Sequence, residues 1–406
     1  MTNPVLRLEE YRPFVGDEVI AEIYRRARRY YGRNILHVNS TYQGGGVAEI
    51  LTSLIPLMNT TGIHTDWRIL HGTPDFFNVT KKFHNALQGG TIRLSPIKKR
   101  LYTQTNEQMS VFAQIFHDAV IVHDPQPLPL VQFYHKSQPW IWHCHVDLSN
   151  PNPQLWEYLK DFILRYDCVV ISSESYRRPD LPVEQRVIMP AIDPLSSKNK
   201  DLTPQLIQRT FRKFDIPTDR PYLLQVARFD RWKDPEGAIE VWKRVRSEVN
   251  CRLVLCGSMA ADDPEGWSIY ERIRRRAARW LESRDVVLIT TENNILVNAL
   301  QRMAAVVLQK SLREGFGLAV TEAMWKGKPV VASDVGGIRL QIEDGINGYL
   351  VAPRDYDGFA RRIIRVLQDP ELRRHLGENA RASVRRKFLI TRFVMDYLDL
   401  LCEMWS

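Results

Sequence analysis

The sequence contains no apolar run that approaches the roughly 18 residues of a membrane-spanning helix, so a bilayer protein is not expected. Its opening segment, MTNPVLRLEEYRPF, mixes charges with proline and lacks the apolar stretch of a secretory signal. Cysteine is scarce: there are five, an odd number, widely spread at Cys144, Cys168, Cys251, Cys256 and Cys402. A disulfide framework is therefore not expected, and Cys144, Cys168 and Cys256, set in apolar strand-like runs, read as reduced core thiols. These absences point to a cytoplasmic protein. No fixed-period repeat is present. His143 and His145 would share one strand face, but no second group with ligand spacing accompanies them, so no metal is expected.

Negative charge is in deficit. Lys and Arg number 56 against 47 acidic residues, a net charge of +9 that favours an anionic partner. Two basic clusters, Arg25, Arg26, Arg28, Arg29 and Arg272, Arg274, Arg275, Arg276, lie on helical patterns where solvated arginines are the ordinary case. No nucleic-acid module accompanies them. A small anionic substrate, without nucleic acid or membrane, is the expectation.

What is present is the make-up of a soluble globular protein, 44% hydrophobic and 25% charged. At 406 residues it is long enough for two domains. Each half alternates short apolar runs with amphipathic stretches. Strands are expected near Asn34–Asn39, Asp66–Leu70, Ala119–His123, Trp140–Cys144 and Cys168–Ile171, then near Tyr222–Ala227, Arg252–Gly257, Val286–Thr290, Ala305–Gln309 and Pro329–Ala332. Continuous Val/Ile/Leu runs separated by helix-length segments indicate parallel strands buried on both faces. The fold class is α/β, with two doubly wound Rossmann-like domains facing each other across a cleft. The expected domains are 1–195, 196–387 and a C-terminal helix at 388–406 that can pack on either half, the first being preferred. Pro190–Pro204, rich in Pro, Ser, Lys and Asp, has the composition of a linker.

Ligands of open α/β sheets bind at the carboxyl ends of the strands, and the chemically informative residues follow strand ends. After the first strand comes Gly44-Gly45-Gly46, which lets backbone amides approach a ligand. After the third comes Asp124, and after the fourth His145 and Asp147, groups suited to sugar hydroxyls. After Tyr222–Ala227 come Arg228 and Lys233, two cations five apart that can clamp a diphosphate. Glu314 and Glu322 lie eight positions apart in REGFGLAVTEAM. Gly315 and Gly317 flank the first, and a helix-compatible run carries the second, so amides at a helix start can also hold an anion. Thr290–Asn294, TTENN, is placed to line a base pocket or to form a solvated turn.

With these residues in view, EGFGLAVTEAM resembles the E-x7-E segment of retaining glycosyltransferases with the GT-B fold, glycosyltransferase family 4-like. ARFDRWKD resembles their Arg/Lys diphosphate clamp. More narrowly, HVNSTYQGGGVAEIL, FFNVTKKFHNALQG, VHDPQP, WHCHVDLSNPN, MAADDPEGW and LREGFGLAVTEAMWKGKPVV together are similar to the trehalose glycosyltransferring synthases, relatives of the retaining trehalose phosphorylases. The likeness runs from Arg33 to the C-terminus.

The resemblance implies reversible transfer of glucose from a nucleoside diphosphate to C1 of a second glucose, with retention, giving trehalose. NDP-glucose is then a substrate, no cofactor is required and a divalent metal is not essential. It implies that Arg228 and Lys233 neutralise the leaving diphosphate, aided by amides near Gly45, Gly46, Gly317 and Leu318. Glu314 accepts from donor-glucose hydroxyls and Glu322 from the ribose. His145 contacts the donor sugar, Asp124 binds substrate rather than attacking it, and Asp147 belongs to the acceptor pocket. Gly44 and Phe316 complete the substrate-binding set. The partners implied are NDP-glucose, glucose and trehalose, and a homodimer is compatible with them. Three rivals stand beside this: a trehalose phosphorylase; a transferase to a sugar phosphate, for which Lys81, Lys82, Lys98 and Lys99 would supply the charge; and a non-catalytic basic binding module.

Overall fold

The apolar runs fold into two parallel sheets. In the first, β1 (Asn34–Asn39), β2 (His64–Ile69), β3 (Ala119–His123), β4 (Trp140–Cys144), β5 (Cys168–Ile171) and β6 (Glu184–Val187) take the order β2-β1-β3-β4-β5-β6. In the second, β7 (Tyr222–Val226), β8 (Arg252–Cys256), β9 (Val286–Ile289), β10 (Val306–Gln309), β11 (Val330–Ser333) and β12 (Tyr349–Val351) take the order β12-β11-β10-β7-β8-β9. The computed structural model describes residues 7–257 and 264–405. The chain divides into two units, Met1–Ala191 with Ile390–Ser406, and Ile192–Leu389.

β3, β4 and β8 are buried along their whole length, as expected of parallel strands covered on both faces. Two strands were not expected, β6 because it is polar and β12 because its apolar run is short. β6 reads EQRV and only Gln185 is fully buried; β12 is three residues long. Both close the far edge of a sheet, where little apolar surface is needed.

Many helices start on the same local chemistry. Thr73-Pro74, Ser95-Pro96, Asn152-Pro153, Thr203-Pro204, Asp234-Pro235 and Asp369-Pro370 each place a side-chain acceptor at the N-cap and proline at the first helical position. The cap satisfies an orphan N–H, and proline has none to lose. These six of the chain's 23 prolines start helices rather than breaking them.

The division between the two units falls in the segment after Pro190, and hydrogen bonds hold that segment in place. Asn298 Nδ2 donates to Ser197 O and Lys200 O, Lys326 Nζ donates to Asn199 Oδ1, and Ile192 N donates to Phe388 O. Most of these contacts use its backbone, and Asn199 adds a buried side chain. The helix Ile390–Met404 belongs to the first unit, where Phe393, Val394, Tyr397, Leu398 and Leu401 are buried.

Strand order marks where ligands can bind. In the first sheet β1 and β3 are neighbours whose connections leave in opposite directions; in the second, β7 and β10 are. A crevice opens at such a switch point, outside the carboxyl ends of the strands.

Candidate functional site

In the second unit, the loop after β7 carries Arg228 and Lys233, and the loop after β10 carries Glu314. They meet at the switch point. Lys233 Nζ donates to Glu314 Oε2 at 2.6 Å, and Gln309 Nε2 and Ser311 Oγ donate to the same oxygen at 3.2 and 3.1 Å. The pair is largely shielded, with side-chain exposures of 18% and 9%. Arg228 is freer, 34% exposed, with its nearest carboxylate, Asp230, at 3.9 Å.

Local structure holds these loops in shape. Asp230 accepts from Trp232 N and Lys233 N, winding residues 231–233 into a single turn. Gln225, on β7, donates to Lys233 O and accepts from Lys310 N, while Leu312 N donates to Trp232 O. The two loops are therefore bound into one piece. Lys310 is fully buried and donates to Asp234 and to Pro353 O, fixing the residue after Lys233.

Gly317 has φ +90° and precedes the helix Leu318–Trp325 with no side-chain cap. The helix start thus leaves its amides to other acceptors, and the backbone there is one that glycine favours. Gly337 sits against this loop: a Cβ on it would lie 2.4 Å from Gly315 O and 2.6 Å from Phe316 Cα. Phe316 is buried, its ring packed edge-on to Phe388 and its carbonyl accepting from Gln341 Nε2. Glu322 is 3% exposed; Gln301 Nε2 donates to Oε2 at 3.2 Å, and Lys198 Nζ stands 3.5 Å from Oε1.

In the first unit, the residues after β1, β3 and β4 assemble a second group. Gly44 and Gly45 have φ of +72° and +110° and lead into the helix Gly46–Thr60. Asp124 takes φ +60° and accepts from His145 N at 2.8 Å, so the expected Asp/His pair is joined through the backbone of one and the carboxylate of the other. Asp147 is buried and accepts from Ser149 N, a local turn contact.

Beneath this group runs a row of imidazoles. His37 Nδ1 lies 2.9 Å from His123 Nε2, and His123 Nδ1 lies 3.0 Å from His145 Nε2. His143 Nδ1 meets the Tyr397 hydroxyl at 2.5 Å. Register explains the row: His123 faces His143 across β3 and β4, and His37 faces Ile121, one pleat back on the same side. Burial pushes His37 and His145 down to about 3, and His123 and His143 well below the ordinary histidine value. His123, His143 and His145 bring nitrogens within 4.8 Å of one another. Yet the His143 and His145 rings stack with centroids 4.0 Å apart and planes 20° from parallel. The in-plane lone pairs of stacked rings do not converge on a single ion about 2.0–2.1 Å from both. The arrangement is a stack rather than a ligand set.

Sequence reasoning missed several of these groups. Gln225, Lys310, Lys198 and Tyr397 lie outside every quoted motif, and His37 and His123 lie within HVNSTYQGGGVAEIL and VHDPQP but were given no role. The one signal was spacing, histidines recurring on a single face of adjacent strands. Asn293 of TTENN accepts from Leu296 N as the N-cap of the helix Asn294–Met303, a structural role. Of MAADDPEGW, residues 259–263 lie outside the described residues. The basic clusters are largely occupied: Arg25 and Arg26 pair with Glu22, Arg272 with Glu236, Arg276 with Glu240.

Comparison with known proteins follows this division. Residues 37–178 match the family described as trehalose synthase, N-terminal domain, and residues 207–383 match glycosyl transferases group 1. The chain is 45% identical over 399 residues to the trehalose synthase of Thermococcus litoralis, covering 97% of this chain and 96% of that protein. It is 29% identical to the trehalose phosphorylase of Pleurotus pulmonarius, covering 93% of this chain but 58% of that one. Among solved structures, the UDP-forming alpha,alpha-trehalose-phosphate synthase of Burkholderia xenovorans superposes with a TM-score of 0.72 at 14% identity, over 91% of this chain and 100% of that one. That likeness shows the fold, two Rossmann-like units of the GT-B kind.

Proposed function

Since the chain belongs to the trehalose synthase family of glycosyltransferases, we propose that it forms trehalose by moving glucose from a nucleoside diphosphate onto C1 of a second glucose, reversibly and with retention. The observation that carries this is the Lys233–Glu314 pair at the β7/β10 switch point, beside the accessible Arg228 and the uncapped helix start at Gly317.

The difficult step is departure of a diphosphate that gains negative charge. Arg228 offers a guanidinium fork to that charge, and Lys233 has further N–H donors beyond the one given to Glu314. Amides of Gly317 and Leu318 add dipoles that need no reorganisation. Glu314, held in place by Gln309, Ser311 and Lys233, accepts from sugar hydroxyls. Glu322 accepts from the ribose hydroxyls, with Lys198 and Gln301 orienting its carboxylate. In the first unit, His145 and Asp124 bind sugar hydroxyls, Asp147 shapes the acceptor pocket, and amides at Gly44, Gly45 and Gly46 approach the ligand. These fixed cations do the neutralising work that a divalent metal does in other transferases.

The test supplies trehalose with ADP, UDP, GDP or inorganic phosphate and identifies the products. A glucosyl nucleotide is expected. Glucose 1-phosphate formed from phosphate alone would instead favour the phosphorylase reading and defeat this one.

A further inference from the structure

We propose that His37, His123 and His145 form one tautomeric unit, in which His37 and His123 act as positioning residues that set whether His145 Nδ1 presents a hydrogen or a lone pair. The inference rests on the reading that His145 binds a sugar hydroxyl, and deepens it.

A neutral imidazole has one N–H and one bare nitrogen. Each contact in the row joins Nδ1 of one ring to Nε2 of the next, at 2.9 and 3.0 Å. A good contact needs one hydrogen and one lone pair. If His37 carries its hydrogen on Nδ1, His123 must accept at Nε2, and its own hydrogen is then on Nδ1. The same step fixes His145. Two orders satisfy the geometry: all three rings protonated at Nδ1, or all three at Nε2. A mixed row would set two hydrogens or two lone pairs face to face in a buried place, leaving a hydrogen bond unmade where water cannot replace it.

Burial keeps the row neutral and therefore subject to this rule: His37 is 1% exposed and His123 2%. The groups around it do not break the pattern. His143 stacks on His145 and is bound separately, through Nδ1, to the Tyr397 hydroxyl. Asp124 accepts from the His145 backbone N–H. His145 is thus the end of the row whose Nδ1 faces another partner, and whether that atom donates or accepts is coupled to the tautomers of the two rings behind it. A sugar hydroxyl can answer either order, because it both donates and accepts.

Long-range 15N–1H correlation spectra of histidine-labelled enzyme at neutral pH test this directly. His37, His123 and His145 should report the same tautomer, whichever it is. Different tautomers among the three would overturn the proposal. In His123→Asn the row is cut, and His145 should become a mixture of tautomers, with kcat lowered by up to about tenfold, the value of one neutral hydrogen bond. His37→Gln should give the same signature more mildly, and serves if His123→Asn does not fold. A merely structural role would lower Tm and leave the His145 tautomer as it was, which also overturns the proposal. The parent reading fails separately: His145→Ala with unchanged kcat and KM would show that His145 does not touch the sugar, while the spectra still decide the row.

Discussion

Lys233 and Glu314, 81 residues apart in the chain, are joined by a 2.6 Å charge-assisted hydrogen bond that links the loop after β7 to the loop after β10. Each side chain is therefore both a candidate substrate group and the support of the other. Lys233→Ala leaves a carboxylate only 9% exposed without its cation. Removing one partner of a buried pair costs about 3 kcal/mol at the low end of the usual range. A urea denaturation series should show that loss, and Lys233→Ala combined with Glu314→Gln should lose less than the sum of the two. Strict additivity would mean that the bond contributes nothing to folding.

Arg228 offers the contrasting case. Its nearest carboxylate is 3.9 Å away and a third of the side chain is exposed, so it is not needed for folding. Arg228→Ala should leave Tm within a degree or two of the wild type. Turnover with NDP-glucose should fall by about 10²–10³, or roughly 2.7–4 kcal/mol, as when an oxyanion-hole donor is lost. Near-normal turnover would remove Arg228 from the catalytic set.

Gly337 tests the loop without touching a charged group. A methyl there meets backbone, Gly315 O and Phe316 Cα, which cannot rotate away. Gly337→Ala should therefore displace the segment that carries Glu314 and cost about 1–3 kcal/mol of stability, the usual penalty of overpacking. The expected kinetic result is a raised KM for the donor. A crystal structure of the variant with the 314–317 backbone unmoved would contradict this.

The buried histidines give a pH dependence whose sign is fixed. His37 and His145 are pushed down to about 3, and His123 and His143 lie well below their ordinary value. Unfolded histidine titrates near 6.5. Below about pH 6.5 the unfolded chain takes up protons that the folded row refuses, so stability falls as pH drops toward 3. Each such histidine contributes a slope of roughly 1.4 kcal/mol per pH unit in that window. Denaturation midpoints should decline steadily from about pH 6.5 to about pH 5, and less steeply in His143→Phe. The facing Tyr397 stays neutral there, since burial raises its hydroxyl well above the ordinary tyrosine value. A flat profile over this window would show that the row accepts protons when folded.

Several parts of this site were legible in the residues alone. Asn34–Asn39, Ala119–His123, Trp140–Cys144 and Cys168–Ile171 are predominantly apolar, and the observed strands have those same limits. Arg228, Lys233 and Glu314 follow strand ends, so their placement in loops at the carboxyl ends of the strands needed only the alternation of strands and helices, whereas their meeting at one switch point needed strand order. β6 was not legible, because an edge strand buries little and EQRV reads as a polar turn. Pro190–Pro204 has the composition of a linker and the division between the units falls in it, but its hydrogen bonds to two distant helices were not legible.

Local chemistry, written residue by residue, determined which stretches become buried parallel strands, where glycine must turn the backbone, and where a cap followed by proline starts a helix. These depend on neighbours within a few positions. Partnership was decided only by the folded chain. Lys233 could pair with any carboxylate until strand order set β10 beside β7, and His143 finds a hydroxyl 254 residues later in Tyr397. Side-chain contacts of that kind depend on distances in space, which sheet order and register set and linear spacing does not.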